Sequence, residues 1–170
     1  MAGLLPLCHF GPTYFDPESV RSIEIRVAFR GHYEHSLDVK NRLSVPKPFR
    51  AALSDGLVLL KWLDPCVAVY TPDAFQKFTD KVLEEHSPLS AQHRELSRFF
   101  LSNAFDAELD SAGRVILGAP LLEHAGIEKD VVVAGSLDRL EIWAADRWAT
   151  EQPTLHDKAL KVAEGLGHPS

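Results

Sequence analysis

The rhythm of apolar and polar residues along this chain changes several times, and the changes fall in the same order twice. Around residues 33–45 the two kinds alternate, so that Tyr33-Glu-His-Ser-Leu37 and Arg42-Leu-Ser-Val45 each read as a strand with one buried face. Between them stands Asp38-Val-Lys-Asn41, where Asp favours turn initiation and Asn accepts left-handed backbone. Pro46 ends the second strand, and Pro48-Phe-Arg-Ala-Ala-Leu53 reads as a short helix with proline near its first turn. Two short apolar strands follow, Gly56-Leu-Val-Leu-Leu60 and Asp64-Pro-Cys-Val-Ala-Val-Tyr70. Thr71 is then a cap and Pro72 a first helical residue, with Phe75, Phe78 and Val82 on one stripe. Ser87-Pro88 punctuates, and Ser90 caps a second helix carrying Leu96, Phe99 and Phe100.

The second half repeats the first. Asp38-Val-Lys-Asn-Arg42-Leu-Ser-Val45-Pro46 aligns without a gap on Asp110-Ser-Ala-Gly-Arg114-Val-Ile-Leu117-Gly118, and Phe49 falls on Leu121. Each copy then reaches a Gly and an apolar strand, which in the second are Gly126-Ile127 and Val131-Val-Val133. Asp138-Arg-Leu-Glu-Ile-Trp143 answers Asp64 to Tyr70, and five residues further on Trp148 answers Phe75. Asn41 and Gly113, at equivalent positions, are the residue types that take positive φ most cheaply, which predicts one turn geometry used twice. Each copy is therefore strand, tight turn, strand, short helix and a second pair of strands. The organisation expected is an N-terminal extension over 1–28, a module at 29–76, bridging helices at 77–103, a second module at 104–150 and a weakly helical tail at 151–170.

Composition narrows what such a duplication is for. At 170 residues, 45% hydrophobic and 25% charged, the chain is an ordinary globular mixture. Modules this small bury little surface alone, so they are expected to share a core or to assemble with other chains. Cys8 and Cys66 support neither a disulfide framework nor a zinc ribbon, which fits a reducing cytoplasm. The longest apolar stretch, from Val115 to Gly135, is broken by Glu123, His124, Glu128, Lys129 and Asp130, so no membrane span is expected. A net charge of −6 argues against a general nucleic-acid coat. Between Ala28 and Ser54, however, Arg30, Lys40, Arg42, Lys47 and Arg50 outnumber Glu34 and Asp38, so any contact with nucleic acid is local.

The chemistry worth weighing is the Asp-x-x-x-Arg that spans each turn. There a carboxylate is placed to bond the turn backbone or to orient the guanidinium, leaving the arginine fork for a phosphate or a guanine edge. The plainer reading is a turn-capping Asp with a solvated Arg, since exposed ion pairs contribute little. Other constellations are weaker. His32 and His35 fall on opposite faces of a strand and chelate poorly, so no metal is expected. Cys66 reads as a packing residue, and the acids Glu108, Asp110, Glu128 and Asp130 as a solvated face. Tyr70, Trp143 and Trp148 read as core or interface anchors. No catalytic set and no cofactor loop is apparent, so neither an enzyme nor a small-molecule substrate is expected.

Phe29-Arg-Gly-His-Tyr-Glu-His-Ser-Leu-Asp-Val-Lys-Asn-Arg-Leu-Ser-Val-Pro46, Leu63-Asp-Pro-Cys66, Asp110-Ser-Ala-Gly-Arg114 and Glu141-Ile-Trp143 closely resemble the MraZ family of bacterial transcriptional regulators, over about Phe29 to Trp148. The resemblance implies an α+β, β-rich fold: two AbrB-like modules forming a pseudo-twofold swapped-hairpin barrel within one chain, with chains assembled into a ring. It implies binding to short, G-rich direct repeats in double-stranded DNA upstream of the division and cell wall gene cluster, with repression of that operon, in the cytoplasm at the nucleoid. By position, the DNA-facing residues are Asp38 and Arg42 with Asp110 and Arg114, and the local charge adds Lys40 and Arg30. Of these, Arg42 with Lys40 is expected to contribute most. Two departures stand out: Asn41 where the family has Gly, and a start well ahead of Phe29, which would place the native start at Val27 if that residue is encoded by an alternative initiation codon. The rival expectation is an assembly module whose hairpins bind protein.

Overall fold

The computed structural model describes residues 29–166, so the expected N-terminal extension and the start at Val27 lie outside the described residues. In chain order the elements are β1 (His32–Ser36), β2 (Arg42–Ser44), α1 (Lys47–Arg50) running into a 3-10 turn at Ala51–Leu53, β3 (Leu57–Lys61) and β4 (Cys66–Tyr70). Helices α2 (Pro72–Glu84) and α3 (Ala91–Ser102) follow. The second copy then supplies β5 (Ala104–Ala107), β6 (Arg114–Ile116), α4 (Ala119–Ala125), β7 (Asp130–Ser136), β8 (Arg139–Ala144) and α5 (Ala145–Leu166).

Six strands form one antiparallel sheet in the order β1-β7-β8-β4-β3-β5, and β2 pairs with β6 as a separate ribbon. That order reads the same from either end once each strand is replaced by its counterpart in the other copy. The first strand of each copy leaves its own hairpin to pair with the other copy: His32 stands opposite Ala134 on β7, and Ala104 opposite Leu60 on β3. The two hairpins meet at the centre, where Cys66 faces Trp143 and Val69 faces Leu140. β1 and β5 thus each pair with a strand of the other copy, but the expected swapped-hairpin barrel is not closed among the described residues. The sheet is open, ending at β1 and β5, and a single bridge from Leu37 to Leu43 joins it to the ribbon. The physical reason lies in β2 and β6, which pair with each other, while the backbone groups of Arg42 and Arg114 are taken up by Asp38 and Asp110 of their own turns.

The continuous apolar runs of β3, β4 and β7 are explained by burial on both faces of the sheet. On one face Leu57, Leu59, Val67, Val69, Val131, Val133, Leu140 and Ile142 pack with Leu43 and Val115 of the ribbon and with Phe49 and Leu121 of the short helices. On the other, Val58, Leu60, Cys66, Ala68, Tyr70 and Trp143 pack with Phe75, Phe78, Leu96 and Phe100 from α2 and α3. Tyr70 stacks on Phe78 at 5.5 Å between centroids, and Phe78 meets Phe100 edge-on at 5.0 Å. Arg139 closes this second core, its guanidinium 4.3 Å above the Trp62 ring and 2.9 Å from Glu141. The two expected caps form: the Thr71 hydroxyl accepts from the Ala74 amide at 3.2 Å, and that of Ser90 from the His93 amide at 3.1 Å. The segment read as a tail continues α5 as helix, with Pro153 inside it and exposed side chains from Gln152 to Gly165. No described helix is long and apolar enough to cross a membrane.

Gly135 on β7 is crossed at contact distance by the chain that leads into β1. Its amide donates to the Gly31 carbonyl at 2.8 Å, and a Cβ placed on it would meet the amide of Arg30 and lie 2.5 Å from the Phe29 carbonyl carbon. Backbone cannot swing aside as a side-chain tip does. Gly135→Ala is therefore expected to lift the start of β1 from β7 and to cost about 1–3 kcal/mol of stability. Amide exchange checks this at Phe29, whose N–H donates to the Leu137 carbonyl at 2.9 Å. Undiminished protection there would show that the close approach is not a constraint.

Candidate nucleic-acid interface

Both Asp-x-x-x-Arg segments form the same closed turn. In the first, one Asp38 oxygen accepts from the amides of Lys40 at 2.8 Å and Arg42 at 3.0 Å, and the other accepts from the Arg42 Nε at 2.6 Å. In the second, Asp110 accepts from the amides of Ala112 at 2.9 Å and Arg114 at 3.0 Å, and from the Arg114 Nε at 2.8 Å. The residue before each arginine takes left-handed backbone, Asn41 at φ 56° and Gly113 at φ 74°. One carboxylate thus caps the turn with one oxygen and aims the guanidinium with the other. In the first turn the two terminal nitrogens of Arg42 keep no hydrogen bond among the described residues. In the second, Arg114 also brings its Nη2 to 2.8 Å from Asp110.

The ribbon then fuses the two turns into one surface. Leu43 stands opposite Val115, and both are buried in the core at 1% and 2% exposure. Alternation puts the other pairs, Arg42 with Ile116 and Ser44 with Arg114, on the outward face. Ile116 is 62% exposed there, although it is large and apolar. Each turn is also completed by the opposite copy: the Asn41 carbonyl accepts from the Leu117 amide at 2.9 Å, and the Gly113 carbonyl from the Val45 amide at 3.0 Å. Neither turn has its full set of hydrogen bonds without the other.

Of the residues marked in the sequence, Asp38, Lys40, Arg42, Asp110 and Arg114 are brought together on the ribbon and its turns. Arg30 is not. It lies at the far end of β1, beside Gly135 and the β7–β8 turn. One residue was not singled out: Arg50, at the end of α1, whose Nε donates to the Val45 carbonyl at 2.7 Å and whose guanidinium covers Gly113. Its place in the basic stretch between Ala28 and Ser54 was the available signal, but only the cross-copy pairing shows which turn it reaches. His32 and His35 lie on opposite faces of β1, His32 exposed with its ring 5.8 Å from that of Trp148. Burial, and secondarily the charge of Arg50, hold His35 below its ordinary pKa. Cys66 is fully buried, and burial, with the charges of Glu141 and Asp64, pushes its thiol up, away from reactivity. Tyr70 and Trp143 are core residues, with Trp148 packed against them at the core edge.

A duplicated, strand-exchanged α+β module displaying paired Asp–Arg turns on one ribbon defines the class. A profile described as "MraZ protein, putative antitoxin-like" matches residues 28–99 and 100–163, so that α2 and most of α3 fall within the first unit and most of α5 within the second. The chain belongs to the MraZ family. It is 44% identical over 121 residues to a protein of Alkaliphilus metalliredigens named transcriptional regulator MraZ, covering 71% of this chain and 83% of that one. Proteins of the same name from Thermoanaerobacter pseudethanolicus (41% over 137 residues, 80% of this chain and 94% of that one) and Lachnoclostridium phytofermentans (38% over 138 residues, 81% and 94%) are similar over nearly their whole length.

The two carboxylates set an acid limit on the site. At Asp38, partial desolvation opposes ionisation, but the amides of Arg42 and Lys40 and the Arg42 side chain outweigh it and hold the carboxyl below its ordinary range. At Asp110 the hydrogen bond from the Arg114 side chain is the leading cause, and the net direction is the same. A depressed folded value means stabilisation that is present above the ordinary carboxylate range and lost as pH falls through the folded value. Acidification is therefore expected to leave both turns closed until the pH is below that range, with the Lys40 and Ala112 amides then losing protection. Carboxyl titration by NMR checks this, and a titration of either Asp at or above the ordinary value would contradict it.

Proposed function

We propose that this chain is a sequence-specific DNA-binding transcriptional regulator that uses the β2·β6 ribbon and its two turns as the DNA-facing surface. The observation that carries this reading is the outward face on which two arginines, each aimed by its own aspartate, stand two residues apart on paired strands. A guanidinium held in this way is suited to the paired acceptors of a guanine edge or to a phosphate, and its orientation is fixed before the ligand arrives. The names of the relatives support the regulatory role.

The finer reading is repression of the division and cell wall gene cluster, the chain's own operon included, through short, G-rich direct repeats. It has the chain acting as an oligomeric ring at the nucleoid, with Asp38, Lys40, Arg42, Asp110 and Arg114 on the DNA and Arg30 outside the contact. A net charge of −6 is compatible with this because the cationic surface is small and local. One such surface binds weakly. Several on neighbouring protomers, meeting tandem repeats, raise affinity through effective concentration.

Arg42→Ala and Arg114→Ala are each expected to weaken binding of the full chain to a duplex taken from upstream of its own gene, by about 1–3 kcal/mol, while assembly is unchanged. The wild type is expected to show a steep loss of affinity with salt. Fluorescence anisotropy measures both, with analytical ultracentrifugation following assembly. Undiminished affinity in the double variant would remove the assignment of the site. Intact assembly without DNA binding in the wild type would favour the protein-interaction reading instead.

A further inference from the structure

The two turns are unequal in charge when each is counted with its own copy. Lys40 accompanies Arg42 in the first, whereas Ala112 holds the corresponding place beside Arg114 in the second. Arg50 makes up the difference from across the duplication. Its Nε donates to the Val45 carbonyl at 2.7 Å, and the Val45 amide in turn donates to the Gly113 carbonyl at 3.0 Å. The guanidinium is thereby anchored to the strand end that clamps the second turn. It lies directly over the turn backbone, since a Cβ on Gly113 would fall 2.6 Å from Nε and 2.8 Å from Cζ. Gly113 therefore serves twice, for its positive φ and for the space this side chain occupies. The counterpart of Arg50 in the second copy is Leu122, so no matching cation reaches the first turn.

From this geometry we infer that Arg50 is a DNA-phosphate-binding residue of the second turn, supplied by the first copy, so that each turn offers two cations. The pairs are Lys40 with Arg42 and Arg50 with Arg114. This rests on the DNA-binding reading above. The terminal nitrogens of Arg50 carry no hydrogen bond or ion pair among the described residues, and its side chain is part-exposed, so the fork is open to a ligand. Phosphate is the partner, because the side chain is pinned by its Nε at the flank of the ribbon and not on the outward face shared by Arg42 and Arg114.

The test compares wild type, Arg50→Gln and Arg50→Lys as full chains, measuring affinity for the upstream duplex across a range of salt concentrations. Loss of one phosphate contact is expected to lower the slope of log affinity against log salt by about one in Arg50→Gln, while Arg50→Lys keeps the slope. An unchanged slope in Arg50→Gln, even with weaker binding, would assign the residue a structural role and overturn the inference. If Arg50→Gln does not fold, modification of wild-type arginines by phenylglyoxal with and without DNA decides the matter. Protection of Arg50 supports the inference, and equal modification while Arg42 and Arg114 are protected overturns it. Failure of the wild type to bind DNA at all is a separate outcome, in which this inference falls together with the regulator reading.

Discussion

The hydrogen bonds that cross between β2 and β6 hold this molecule together at the edge that carries the two Asp–Arg turns. The carbonyl of each left-handed turn residue, Asn41 and Gly113, would point away from its own hairpin without a partner; the amides of Leu117 and Val45 supply one from the opposite copy. Beneath them Leu43 and Val115 enter the core side by side. Burying each such side chain contributes about 1.5–3 kcal/mol, so the ribbon is held by packing as well as by its backbone. An isolated hairpin of three-residue strands would not persist in water. The arginines inherit their placement from this arrangement: turn, ribbon and core are one unit, and the guanidiniums project from its outward side.

Strand exchange extends the same dependence through the sheet. Because β1 belongs to the sheet edge made by β7, and β5 to that made by β3, neither copy has a complete sheet of its own. The central strands β4 and β8 are covered on both faces, by the ribbon and short helices on one side and by α2, α3 and Trp148 on the other. A duplication that began as two similar modules has become a body with one pseudo-twofold centre, in which the halves diverged in detail. Lys40 against Ala112, Ser44 against Ile116 and Arg50 against Leu122 are such divergences, and all three fall at or beside the ribbon.

Much of this was legible in the sequence, for reasons that are physical. The turns could be read because Asp at one end and a residue tolerant of positive φ at the other leave few geometries open, and Asn41 and Gly113 satisfy that condition in different ways. The caps at Thr71 and Ser90 were read from chemistry local to a few residues. Strand partners were not legible, since alternation within β1 says that one face is buried but not that Tyr33 lies opposite Val133 of the other copy. Arg30 seemed to belong with the other cations because it is close to them in sequence, yet the run of β1 carries it to the opposite end of that strand, beside Gly135. Arg50 was counted only as part of a basic stretch, because nothing short of the fold places it over Gly113.

The central claim is that the two turns act as one DNA-facing surface on an otherwise acidic chain. Hydrogen–deuterium exchange of the full protein, with and without the duplex from upstream of its own gene, tests this without altering a residue. Added protection in the peptides spanning Asp38–Ser44 and Asp110–Ile116 together is the expected result. Protection in only one of them, or confined to α5 and the sheet edges, would contradict it.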